Sequence, residues 1–498
     1  IPLRLVGSEM CIRDSCYTYL GNMDEQLYCE AMTDNAYTKQ PNDFTQNIGN
    51  GSYSTADSYV KQVWDGRYTG IRMCNQLLEN IDRVPDLDPE LKKRYIGEAK
   101  VLRAYSYYEL YTKFGDIPYT TKVLSIKESM SIARTAKATV IANVLADLDE
   151  VINGNYLPTS YDADNKGRIT RWAAMAIKAK IYLFEGNWTQ VKNITSTIMT
   201  EGGFKLFGSY AGLFEIANEY NSEVILDAQY RPTSREHQMM YVFLPPTLGG
   251  YSQLSPLQEL VDSYIMLDGK TIKETGTSFD ESHPYANRDP RLKATVMYTG
   301  NSYTLADGTE VVINCEKGEG KDGYGVGSDC SATGYYIKKY WDNTYRATLY
   351  SGLNPILIRY ADILLMNAEA LAELGELDKT AWDATIKPIR DRAGFTLASA
   401  LEFPEGASKD KLIEIVRNER RSELALEGHR HKDIIRWRIA DNVLNGWCHG
   451  LKTNDVVGTD DGYVRVENRT FNANKHYLWP IPQAERDLNG NLEQNPNW

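Results

Sequence analysis

Apolar positions along this chain recur mostly with helical spacing. In YIGEAKVLRAYSYYELYTKF, Ile96, Ala99, Tyr107, Leu110 and Phe114 return at multiples of about 3.6 residues, which predicts a helix with one apolar stripe. Arg103 falls on that stripe, so its guanidinium needs a buried carboxylate or carbonyl and is expected to act as an internal clamp. Gly115 ends the helix and DIPYTT leaves it extended. Upstream, SYVKQVWDGRYTGIRMCNQLLENID places Trp64, Ile71, Leu78 and Ile81 on one face. RITRWAAMAIKAKIYLFEGNWTQVKNITSTIM predicts Thr170 as N-cap, a helix to Phe184, a turn at Gly186-Asn187 and a new helix from Trp188. RYADILLMNAEALAELGELDKTAWDATIKPIRDRAG repeats this plan around Gly375. KLIEIVRNERRSELALEGHR and HKDIIRWRIADNVL make a further pair, punctuated by Gly428. Small residues (Ala176, Ala179, Ala368, Ala370) allow close helix approach, as in tetratricopeptide repeats.

The pattern fails in two places. From Glu201 to Asn354 the chain is rich in Gly, Pro, Tyr, Ser and Asp, with short strand-like runs such as SEVILDAQY, LKATVMY and EVVINC. Asp34 to Asp57 reads as a second loop. Long aperiodic stretches inside a folded chain are ordinarily functional. The expected fold is therefore mainly α: tetratricopeptide-like helical pairs form a scaffold, with a loop-rich, mixed second half carrying short strands. The expected segments are 16–200 (helical, with the 34–57 loop), 201–354 (loop-rich, ligand-binding), 355–443 (helical) and 444–498 (loop and tail). In that tail Pro480 and Pro482 predict an extended run, Gln483 to Leu488 one helical turn, and the whole segment docking on the helices. IPLRLVGSEMCIRDS has neither a signal-peptide pattern nor a lipoprotein cleavage pattern before Cys11. It resembles adaptor-derived sequence, so residues 1–15 are set aside as non-native.

Composition sharpens this picture in three ways. There are 34 tyrosines and 9 tryptophans, which suit half-buried surfaces and binding faces. The net charge of -12 is dispersed, which argues against nucleic acid. No apolar run approaches the roughly 18 residues of a membrane span. Candidate chemistry is sparse. The seven cysteines form no CxxC, and Cys315 and Cys330 flank a Gly-rich stretch where a disulfide and free thiols both fit. His429 and His431 stand at i, i+2, which is the spacing of packing or surface residues rather than of a metal pair. GEGKDGYGVG lacks the phosphate-loop order. DADNKG begins like a calcium loop, but Lys166 and Ala173 at its fifth and twelfth positions exclude an EF-hand. No cofactor is expected; a structural calcium in the acidic loops stays open and unlocated. A glycosidase needs only two carboxylates, yet no local motif holds a pair here, so the expectation is a non-enzyme.

GEAKVLRAYSYYELYTKFGDIPYTT, NRDPRLKATVMYTG, RYADILLMNAEALAELG, IRDRAG, RNERRSELALEGHRHKDIIRW and YLWPIPQAERDLNGNLEQNPNW, in this order, resemble the SusD/RagB family of Bacteroidetes from about Cys16 to Trp498. The resemblance implies a glycan-capturing outer-membrane lipoprotein, surface-exposed and partnered with a SusC-like TonB-dependent transporter. It also implies a lipidated N-terminus that is missing here. The C–H face of a sugar lies on an aromatic ring, and hydroxyls need Asn, Gln, Asp, Arg or Ser partners. By position in the family, the ligand candidates are Tyr37, Phe44, Asn47 and Tyr53, then Tyr241, Tyr251, Trp341 and Tyr345. A peptide or glycopeptide ligand, or a protein-interaction scaffold without its own ligand, are the alternative readings.

Overall fold

The computed structural model describes residues 14–39, 44–345 and 348–498; the side chains of Phe44 and Tyr345 lie outside the described part. The protein is mainly helical with short strands, as expected. It divides into two compact units, one of Gly51–Gln190, Asn472–Trp498 and the chain up to Asn22, the other of Met23–Asn50 and Val191–Phe471. The helical 355–443 segment thus shares a unit with the loop-rich 201–354 segment, so the linear segment boundaries are not unit boundaries.

The first unit is built on the Pro89–Phe114 helix. Asp88 caps its start by accepting from the Leu91 N–H, and Gly115 ends it at φ 72°. The expected single stripe is corrected: Ile96 is half-buried, while Glu98, Glu109 and Lys113 are buried off the stripe. The Ser58–Asn80 and Lys137–Asn153 helices both pack against it, so little of its circumference is left to water. Arg103 clamps these neighbours, donating to Asn75 Oδ1 (2.8 Å) on one and to Asp147 Oδ2 (2.5 Å) on the other. The chain's tail completes the helix end. Trp479 N–H donates to the Lys113 carbonyl (2.7 Å) and Asn495 Nδ2 to the Phe114 carbonyl (2.8 Å), which satisfies groups that a helix C-terminus leaves unpaired. The Trp479 ring meets Phe114 edge-on at 5.8 Å and is 2% exposed.

The second unit is held by strands paired over long distances. Ala36–Thr38 pairs with Leu254–Pro256, and Val224–Asp227 with Ile356–Arg359. Gly446–Lys452 and Tyr463–Arg469 form a sheet with Thr459–Asp460, where only a loop was expected. The 34–57 loop is likewise corrected, since it contains the Ala36–Thr38 strand and the Phe44–Asn50 helix. Cys315 and Cys330 are free thiols, and Cys330 donates to the Lys321 carbonyl.

A buried ion network lies among these elements. Arg359 donates to Glu223 (2.7 Å), Glu423 (2.6 Å) and Glu427 (2.7 Å); Arg291 pairs with Asp289 (2.7 Å), Glu419 (2.7 Å) and Glu423 (2.9 Å). Arg390 joins Glu419, Arg392 joins Glu223 and Glu423, and Lys339 joins Glu427. Burial alone would raise the Glu423 carboxyl; Arg392, Arg359 and Arg291 outweigh it and hold the group well below the usual carboxylate range. The network also ends a helix early. The Lys409–Glu423 helix was expected to run to Gly428, but the carbonyls of Glu423, Ala425 and Leu426 accept instead from Arg359, Lys339 and Tyr340.

Two stability measurements check this account. Trp479→Ala should cost about 3–5 kcal/mol in denaturant unfolding, whereas Leu488→Ala on the exposed side of the tail should stay within about 0.5 kcal/mol. Arg359→Met should cost about 3–5 kcal/mol by the same measurement, because it leaves buried carboxylates short of a partner.

Candidate functional site

The early segment is anchored before it reaches the surface. Asp34 accepts two bonds of 2.8 Å from Arg430 and pairs with Arg421 at 3.0 Å. Burial would raise its carboxyl, but Arg421 and Arg430 bring it below the usual range. From this anchor Ala36–Thr38 runs antiparallel to Leu254–Pro256, with Tyr37 opposite Ser255. Alternation buries Ala36 and Thr38 and leaves Tyr37 half-buried on the other side. Gln46 Nε2 donates to the Tyr37 hydroxyl at 3.4 Å, and Asn47, half-buried, follows on the same short helix.

Tyr241 and Tyr251 come together. Their rings lie 5.7 Å apart with planes 17° from parallel, and the Tyr251 N–H donates to the Tyr241 carbonyl at 2.7 Å. A residue not singled out in the sequence, Tyr350, meets Tyr241 edge-on at 6.1 Å. Tyr251 is 45% and Tyr350 39% exposed, so the group forms an aromatic platform open to solvent. The Tyr241 hydroxyl donates to the Thr348 carbonyl at 3.1 Å, which ties the 348–351 loop to the short Met239–Phe243 helix that carries Tyr241. Close backbone approach fixes both loops: a Cβ on Gly250 would fall 2.1 Å from the Leu244 carbonyl oxygen, and one on Gly352 2.5 Å from the Pro232 nitrogen. Arg231 and Arg235, on the turn beside Gly352, are exposed, with Arg235 4.8 Å over the Tyr230 ring.

Two other sequence candidates do not join the platform. Tyr53 is corrected as a ligand contact. It is 4% exposed and belongs to the first unit, where its ring packs against His476 (5.2 Å) and Trp498 (4.7 Å). Trp341 is half-buried, with its Nε1 donating to the Thr304 carbonyl (3.0 Å) and its ring against Tyr303 (5.2 Å). The side chains of Phe44 and Tyr345 lie outside the described residues.

Perturbed ionisable groups hold the chain that follows Tyr350. Burial raises Glu219 to about 7 and Asp227 to about 6; Glu219 accepts from the Asn354 N–H (2.7 Å) and Asp227 from Asn354 Nδ2 (3.1 Å). His237 exchanges two backbone bonds with Ser351, and its Nε2 lies 3.2 Å from the Leu353 carbonyl. Its Nδ1 is buried without a hydrogen-bond partner, and burial lowers its pKa to about 4. Among the described residues no group of three or more His, Cys, Asp or Glu is placed to hold a metal ion.

His237 gives a pH dependence with a definite sign. Below its ordinary value of about 6.5 the unfolded chain takes up a proton that the folded ring refuses until about pH 4. Stability is therefore lost as pH falls through that window. Wild type should lose more melting temperature between pH 7 and pH 5 than His237→Gln does, the carboxylates around Asn354 being common to both.

Comparison with known proteins agrees with this architecture. The model of the SusD family matches residues 213–498, more than half of the chain. A second model, described as starch-binding associating with outer membrane, matches residues 13–183. SusD-like protein P25 of Formosa agariphila is 28% identical over 409 residues, 77% of this chain and 71% of its own. SusD-like protein P2 of the same organism is 26% identical over 469 residues, 92% of this chain and 83% of its own. Among solved structures, a SusD-like carbohydrate binding protein from Bacteroides fragilis superposes with a TM-score of 0.84 at 27% identity, covering 97% of this chain and 98% of that one. On fold, motifs and family match together, the chain belongs to the SusD family.

Proposed function

We propose that this protein captures an oligosaccharide or polysaccharide at the Tyr241–Tyr251–Tyr350 platform without chemically changing it. The carrying observation is the pair of nearly parallel rings with a third ring edge-on, two of the three well exposed. An aromatic face offers a sugar's C–H surface an apolar, slightly negative partner, and the exposed Arg231 and Arg235, on the turn beside Gly352, are candidate donors to its hydroxyls. The similar protein from Bacteroides fragilis is described as carbohydrate binding, which supports the reading. We place the protein at the outer membrane, held there by an N-terminal lipid and handing its ligand to a TonB-dependent transporter of the SusC type. The second family model, described as associating with the outer membrane, supports that location.

Affinity electrophoresis through gels containing single polysaccharides tests the capture step. Wild type should be retarded by at least one polysaccharide, and Tyr251→Ala/Tyr350→Ala should lose tenfold or more of that affinity while keeping its melting temperature. Equal retardation of both proteins would remove the platform from the site. No retardation of wild type by any glycan would shift the function to peptide binding, or to a role confined to the transporter.

A further inference from the structure

A second concave surface in the same unit shares no residue with the platform. It is a cleft of about 900 Å³, within the range of about 300–1,000 Å³ usual for small-ligand sites. Its walls are the 279–288 segment, the 298–319 loop, and the strand ends and turn around 451–463. Tyr285 stacks on Tyr298 at 3.9 Å with planes 17° apart. The Tyr335 hydroxyl donates to Gln258 Oε1 (2.6 Å), so the 3.3 Å contact between Tyr285 and Tyr335 has Tyr285 as donor. This chain of hydrogen bonds locks the stacked pair in place. Phe279 and Tyr463 add two more aromatic groups to the lining.

The polar groups at the mouth are ion pairs that span from wall to wall. Lys452 Nζ meets Glu281 at 2.6 Å and lies 5.3 Å over the Tyr463 ring, and Lys317 pairs with Asp455. All four are well exposed, and such pairs are worth only about 0–1 kcal/mol. They can therefore open at little cost and present donors and acceptors together. The lining holds four carboxylates against three cations, and one of these, Arg288, is committed to the carbonyls of Val261, Tyr264 and Pro284. That balance disfavours a uronate or sulfate and suits hydroxyls, which both donate and accept.

We propose that this cleft is a second saccharide site, taking a stretch of uncharged oligosaccharide independently of the tyrosine platform. The inference rests on the glycan-capture reading. Two modest sites on one polymer raise the apparent affinity through effective concentration, with no stronger contact at either.

The test extends the electrophoresis to gels of laminarin, starch, xylan and galactomannan, with alginate as the polyanionic control. Lys452→Ala/Tyr463→Ala empties the cleft wall, and Asn454→Trp at the exposed mouth fills it without removing a packed group. Each should weaken retardation by an uncharged polysaccharide at least threefold, and the platform variant should keep a residual retardation that either cleft change removes. If the cleft variants migrate as wild type in every gel that retards wild type, the second site is overturned and capture at the platform stands. Cleft-dependent retardation by alginate alone would overturn the ligand class. Absence of any wild-type retardation would overturn the capture reading, and this inference with it.

Discussion

Charge buried away from water is the constraint on which the second unit depends. Glu223, Asp289, Glu419, Glu423 and Glu427 meet Arg291, Arg359, Arg390, Arg392 and Lys339 in a network closed to solvent. An ion left alone in such surroundings costs several kcal/mol, so the members are tolerable only together. Their segments lie far apart in sequence and must all arrive for the charges to balance. The helix that supplies Glu419 and Glu423 even stops where its carbonyls are taken by Arg359 and Lys339. Here side-chain electrostatics overrides helical propensity.

The route from this network to the platform can be followed bond by bond. Arg359 closes the Ile356–Arg359 strand, which pairs with Val224–Asp227. Asp227 and the nearby Glu219 hold Asn354, Leu353 and Ser351 hold His237, and Tyr350 is thereby delivered beside Tyr241. On the other side, Arg430 and Arg421 fix Asp34, whose strand pairs with Leu254–Pro256 just beyond Tyr251. The loops that carry the platform are thus mounted on a rigid frame from two directions.

This explains what could be read from the sequence and what could not. Helices announced themselves through periodicity and local caps, as at Thr170, whose side chain caps the Arg171–Phe184 helix, and at Gly375, which ends Tyr360–Leu374 in the left-handed region. Arg103 was legible because a charge on an apolar stripe must have a partner. The motifs that carry the family resemblance turn out to hold the network: Asp289 and Arg291 lie in NRDPRL, Arg390 and Arg392 in IRDRAG, and Glu419, Glu423 and Glu427 in RNERRSELALEGH. They identify a scaffold. The platform had no such local signal. Tyr350 matters only through a bridge between His237 and Ser351, and Tyr53 looked like a loop aromatic until the tail closed over it. Both are decided by contacts distant in sequence, which residue type and spacing do not encode.

The platform's backbone shows how such a site is kept ready. Ser252 at φ 45° and Leu349 at φ 55° are non-glycine residues in the left-handed region, a conformation that costs on the order of 1–3 kcal/mol each when it is strained. They flank Tyr251 and Tyr350, the two exposed rings. Strain of this kind persists only where surrounding contacts over-determine it, and the Gly250 and Gly352 approaches supply those contacts. The rings therefore hold their arrangement before any ligand arrives. On the proposed reading, a flexible sugar chain would meet a surface whose ordering cost was met during folding, so stacking contacts of modest strength would suffice for capture. Rigidity of the platform's frame, rather than any contact with a ligand, is what the buried network supplies.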